Sequence, residues 1–190
     1  MRRIATFLAA VLIATTAGSV GAAETYDATA LGPLLNDLPK SKLSLAESIR
    51  LKTTAPETAI SAKFEMKKGK LMLSVYTVQK GLHVDAEHNV LMEYLGSPET
   101  VSWNPDVDVF DDVPHVARAA MQLTLMSMSP LSLTDVIERA GKDQPGTVFS
   151  AIPKSAERTQ YFEVLVADQG KVVRLRYDVL TGKLIDRSAS

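Results

Sequence analysis

Residues 132–141, Ser-Leu-Thr-Asp-Val-Ile-Glu-Arg-Ala-Gly, open a unit that closes on Tyr177-Asp-Val-Leu-Thr-Gly-Lys-Leu-Ile-Asp186. An earlier stretch opens the same way, Ser44-Leu-Ala-Glu-Ser-Ile49. Ser44, Leu45 and Ile49 recur as Ser132, Leu133 and Ile137, each 88 positions on. A repeat of this length decides the fold before any single element does. Each copy is one supersecondary unit, and packing copies together buries what one copy cannot. A unit of about 55 residues is marginal alone because too little of its surface is buried on folding. Two copies packed as one compact pair are therefore expected.

Within the later copy, Ser132-x-x-Asp135 is a helix cap, and Leu133, Val136, Ile137 and Ala140 recur at the spacing of a buried helical stripe. Gly141 is placed to end that helix. Val148 to Ile152 reads as a short strand ended by Pro153. Phe162, Val164 and Val166 form a second apolar alternation, and Val173, Leu175, Tyr177 and Val179 a third. Thr181-Gly182 is a hairpin turn, and Leu184-Ile185 begins the return.

The earlier copy carries the matching cap, Ser44-x-x-Glu47, and its helix stops before Pro56. Ile60, Ala62, Phe64 and Met66 alternate with Ser61, Lys63 and Glu65, the pattern of a strand with one buried face. Lys68-Gly69 turns the chain into a strand carrying Leu71, Leu73 and Val75. After Gly81, Leu82 to Leu95 reads as a third and a fourth strand about a turn at Asn89. Residues 24–43, with two prolines and one apolar cluster, read as an arm holding a single helical turn. Residues 97–131 read as an acidic linker followed by a middle helix, which starts at Pro114 and ends before Pro130. The expected organisation is thus a signal peptide over 1–23, the arm over 24–43, a repeat over 44–96, linker and helix over 97–131, and a repeat over 132–187.

The start of the chain has the layout of a secretory signal: Arg2-Arg3, an apolar run from Ile4 to Ala14, then Gly21-Ala22-Ala23 for cleavage. The run is short of the ~20 residues of a membrane span. A soluble exported protein follows, periplasmic in a Gram-negative source, with no membrane span after cleavage. The net charge is −1, from 21 basic and 22 acidic residues. Without Arg2 and Arg3 it is 19 against 22, or −3. That balance argues against a nucleic-acid partner held by bulk electrostatics. The chain has no cysteine, which excludes disulfides, thiolate metal sites, a Cys nucleophile and a lipidated Cys anchor.

The acidic linker is the chemical lead. Asn104, Asp106, Asp108, Asp111 and Asp112 put five oxygen-bearing side chains within residues 104–112. Clustered carboxylates suit hard cations, so Ca²⁺ or a lanthanide ion is the cofactor they would take, with Asp85, Glu87 or Asp178 as further donors. The glycine and closing Glu of an EF-hand loop are missing. A solvated loop is the competing reading, with Asp111 and Asp112 as caps of the following helix. The histidines, His83, His88 and His115, match no metal-ligand spacing, and Met121, Met126 and Met128 fit core packing. Trp103 reads as an anchor of the linker or as a partner-binding residue. Arg174 and Arg176 lie on the polar face of a strand, as a solvated face or a surface for an anionic partner. No nucleophile elbow, phosphate loop or dinucleotide fingerprint is present.

The twice-used Ser-Leu-x-x-x-Ile opening and the ending Val173-Arg-Leu-Arg-Tyr-Asp-Val-Leu-Thr-Gly-Lys-Leu-Ile185 resemble the PepSY family. The earlier ending, Val84-Asp-Ala-Glu-His-Asn-Val-Leu91, departs from it, with His88-Asn89 where Thr-Gly is usual. The resemblance covers about two thirds of the chain. It implies an α+β fold of two PepSY-like repeats, each a helix on a small antiparallel sheet. It also implies a non-catalytic module that binds or inhibits a peptidase or another exported protein, and it transfers no catalytic residue. The alternative function is a periplasmic hard-metal-ion binder.

Overall fold

The computed structural model describes Tyr26, residues 28–156 and residues 158–189. The expected signal peptide lies outside the described residues. The described residues are α+β, with four α-helices and one eight-stranded antiparallel sheet. The helices are α1 (Ala28–Asp37), α2 (Leu45–Lys52), α3 (Val113–Ser127) and α4 (Leu133–Asp143). The strands are β1 (Thr58–Lys67), β2 (Lys70–Val78), β3 (Leu91–Gly96), β4 (Asp106–Val109), β5 (Thr147–Ala156), β6 (Thr159–Asp168), β7 (Lys171–Asp178) and β8 (Leu184–Ala189). Their order across the sheet is β4-β3-β2-β1-β5-β6-β7-β8. A helix followed by a four-strand meander thus occurs twice, and the two small sheets expected from the sequence are halves of one.

Local chemistry sets the helix starts. Ser44 Oγ accepts from the Glu47 amide at 3.2 Å while Glu47 Oε2 accepts from the Ser44 amide at 2.8 Å. Ser132 and Asp135 repeat this closure at 3.1 and 2.9 Å. Asp112 caps α3 by accepting from the His115 amide. Met126 is buried in the core, whereas Met121 and Met128 are exposed.

Register sorts the two faces. Ala62, Phe64, Leu73 and Val75 share one face with Ala151, Phe162, Val164, Leu175 and Tyr177. All are buried, and α2 and α4 cover them; Tyr177 Oη donates to Asp143 of α4 at 2.8 Å. Ser61 points to the other face and meets α3, where its Oγ donates to Gln122 at 2.8 Å in a buried contact. α3 thus occupies the opposite face at the joint between the halves. That joint is short: β1 pairs β5 only at Ala62↔Ala151 and Lys63↔Ser150.

The structure corrects several sequence expectations. The arm holds a ten-residue helix, α1, rather than one turn. Residues 79–90 form turns, so only β3 fills the region read as two strands. The fourth strand of the first half is β4, from within the acidic linker and beyond the boundary at residue 96. Gly141 lies inside α4, whose C-cap is Gln144. Pro153 does not end β5, which runs on to Ala156. The short joint explains this, because at Pro153 only the β6 side has a partner strand, so the missing N–H breaks no second ladder.

Candidate partner-binding surface

The face opposite α4 carries a cluster of charges in the second half of the sheet. Glu163 of β6 interrupts the apolar run from Tyr161 to Ala167 and stands opposite Ile152 of β5 and Arg176 of β7. Lys154 of β5 reaches it, with Nζ 2.7 Å from Oε1. The Lys154 and Glu163 side chains are only 9% and 10% exposed. Arg174 Nε and Arg176 Nε lie 3.4 and 3.9 Å from Glu163 Oε2, and both nitrogens are buried without a hydrogen-bond partner. The guanidinium heads remain open, with side chains 41% and 36% exposed. Arg176 also sits over the Tyr161 ring, 4.9 Å from its centroid, a cation–π contact.

Three cations therefore surround one carboxylate. The ion pair forms a nearly buried floor, and the two guanidinium groups stand above it on alternate residues of one strand. Strand alternation exposes Arg174 and Arg176 in the sequence, but Lys154 and Tyr161 reach them only through cross-strand register. The single legible sign of Glu163 was a charge inside the run Phe162 to Val166.

The other expected site residues are not gathered. Asp106 and Asp108 lie on β4 with exposed side chains, and Asp111 is exposed beyond it. Asp112 is engaged with His115, its Oδ2 2.6 Å from Nδ1. Hydrogen bonds from the His115 amide and ring hold the Asp112 carboxyl below the usual carboxylate range. Among the described residues, no three His, Cys, Asp or Glu side chains form a group that could hold a metal ion. Asp85 is likewise used locally, against the His88 ring at 2.8 Å. Trp103 is 2% exposed, with its indole nitrogen against Gly96 and the Lys52 ammonium 5.8 Å from its ring. It is an anchor between the 97–105 segment and α2 and offers no surface to a partner.

Among the described residues, β4 and β8 are the edge strands of the sheet, each paired on one side only. At one end β4 presents Asp106 and Asp108 on the charged face, with Val107 and Val109 exposed on the other. At the other end all six residues of β8 are exposed, including Leu184 and Ile185. Among the described residues, no helix is long and apolar enough to cross a membrane.

No protein-family model matches the chain, and no curated protein matches it. Among solved structures, the chain is similar to a candidate lipoprotein from Clostridium difficile 630. The two share 12% identity over 70% of this chain and 83% of that one, with a TM-score of 0.37, a likeness that assigns neither fold nor function.

Proposed function

We propose that this protein is a non-catalytic, exported binding module built from two PepSY-like repeats, and that it takes up an extended segment of another exported protein, a peptidase among the candidates, at the edge of its sheet. The observation that carries this is β8, an edge strand exposed at every residue and bearing Leu184 and Ile185. An open edge presents a row of unpaired backbone donors and acceptors, which proteins ordinarily blunt or cover. Strand addition uses that row for affinity and the alternate side chains for selection.

The element order supports the repeats. Ala62 pairs with Ala151, and the ladder irregularities beside Ile60 and Phe149 fall at matching places in β1 and β5. Arg50 of α2 meets Glu138 of α4, at positions 88 apart, the same spacing as the two caps. Equivalent residues thus face each other across an approximate twofold axis, as in a dimer whose subunits have been joined into one chain. Among the described residues no gathered carboxylate set supports the Ca²⁺ or lanthanide alternative.

Hydrogen exchange tests the edge. A panel of extended peptides, and a thermolysin-type peptidase, are added to the protein while amide exchange is followed along the chain. Saturable slowing at residues 184–189 is the expected result. Unchanged exchange at β8 with every addition would remove edge uptake as the function.

A further inference from the structure

We infer that the segment taken up at β8 is acidic, with carboxylates on alternate residues read by Arg174 and, less strongly, by Arg176. This rests on the edge-uptake reading and names the chemistry of its partner. Four observations carry it. The first is charge: Glu163 is already engaged by Lys154, and Arg174 and Arg176 both stand beside that one carboxylate with side chains 41% and 36% exposed. The second is spacing. Arg174 and Arg176 are two residues apart on β7, so their heads repeat with the period of alternate side chains on any neighbouring extended strand, about 6.7 Å.

The third is access. An added strand would lie two strand spacings from β7, roughly 9.6 Å. An Arg and a Glu side chain together span that gap. Ser188 of β8 stands opposite Arg174 and leaves the path open, whereas Asp186 stands opposite Arg176 and competes for it. Arg174 is therefore the stronger reader. The fourth is contrast within the sheet. In the first half, register places Ser74 where Glu163 lies, Glu93 where Arg174 lies and Glu65 where Lys154 lies. At the edges Asp186 of β8 matches Asp106 of β4, but Ser188 stands where Asp108 lies, so an acidic segment meets arginines and one carboxylate at β8 and only carboxylates at β4. The overall charge of −1 and the strand-matched spacing favour an extended protein segment over a nucleic acid.

The test uses fluorescently labelled, end-blocked peptides that alternate Val with Glu, Gln or Lys, with binding read by anisotropy. The Glu peptide should bind about tenfold tighter than the Gln peptide, as expected for one added charge-assisted hydrogen bond. Arg174→Gln should remove most of that preference and Arg176→Gln a smaller part, read as the ratio of Glu-peptide to Gln-peptide affinity. Arg174→Lys should keep part of it. Urea midpoints of the variants check that they fold, as expected for half-exposed side chains.

Equal binding of Glu and Gln peptides with slowed exchange at β8 would overturn the acidic assignment and leave edge uptake standing. Binding of no peptide, with β8 exchange unchanged, would end both. A Glu preference that survives Arg174→Gln/Arg176→Gln would overturn the role given to this cluster. Tighter binding of the Lys peptide, or displacement of the Glu peptide by a single-stranded oligonucleotide at physiological salt, would overturn the partner's chemistry.

Discussion

Replacing Glu163 by Gln should destabilise the protein more than any change to its partners. Its carboxylate is nearly buried, 2.7 Å from Lys154 Nζ, with Arg174 and Arg176 beyond. Neutralising it leaves Lys154 as a nearly buried cation facing an amide, with two guanidinium groups nearby. Removing one partner of a buried pair costs about 3–5 kcal/mol. The arginine heads are substantially exposed and stay solvated, so the lower end, near 3 kcal/mol, is expected. Lys154→Met should behave differently. Glu163 keeps two cations within 4 Å, and the methionine fills the space of the lysine stem, so the loss should be about 1 kcal/mol. The double variant Lys154→Met/Glu163→Gln should recover part of the Glu163→Gln loss, because no ammonium then faces the neutral amide. Urea unfolding followed by Trp103 fluorescence measures all three, since that single tryptophan is buried in the folded chain. Equal losses for the two single variants, or a larger loss for Lys154→Met, would refute Glu163 as the hub of the cluster.

Three further outcomes follow from single positions. Burial raises the Glu93 carboxyl above its ordinary range despite the hydrogen bond from the Ser74 hydroxyl. Its stabilising contribution is present at low pH and lost as pH rises through the raised folded value. Glu93→Gln should therefore add on the order of 1 kcal/mol at pH 7 and nothing near pH 4, read from urea midpoints at both pH values. Burial and the Asp143 hydrogen bond push the Tyr177 hydroxyl well above the usual tyrosine range, so its contribution persists below about pH 10 and is lost above it. Tyr177→Phe should cost about 1 kcal/mol at pH 7 and flatten the alkaline fall in thermal stability. Gly146 enters β5 at φ +128°, and a Cβ there would run into the Ala167 carbonyl oxygen. Gly146→Ala should lower stability by about 2 kcal/mol or more, measured by thermal melting, with the strain falling at the start of the β5–β6 ladder.

The elements legible in the sequence are those closed by neighbours. Ser44 with Glu47 and Ser132 with Asp135 complete their hydrogen bonds within four residues, so residue identity at fixed spacing suffices. The alternation of Ile60 to Met66, of Phe162 to Val166 and of Val173 to Tyr177 marks strands because period two is itself the geometry of a half-buried strand. The α+β class and the recurrence of a helix before each set of strands follow from such signals.

Tertiary structure decided what depends on partners far along the chain. Asp106–Val109 has no strand character of its own beyond alternation, and it is a strand because β3 offers it a ladder. Pro153 sits within β5 because the joint with β1 is two pairs long. Trp103 is buried because Gly96 lets the 97–105 segment approach closely; a Cβ there would fall 2.8 Å from the indole nitrogen. Arg174 and Arg176 were visible as a charged pair, but Lys154, Tyr161 and Glu163 join them only through the register of three strands. Caps and alternation are written in contacts a few residues apart. Ladder partners, the meeting of the two halves and the charge cluster are set by contacts across the sheet, whose loop-closure cost only the folded ensemble of interactions can offset.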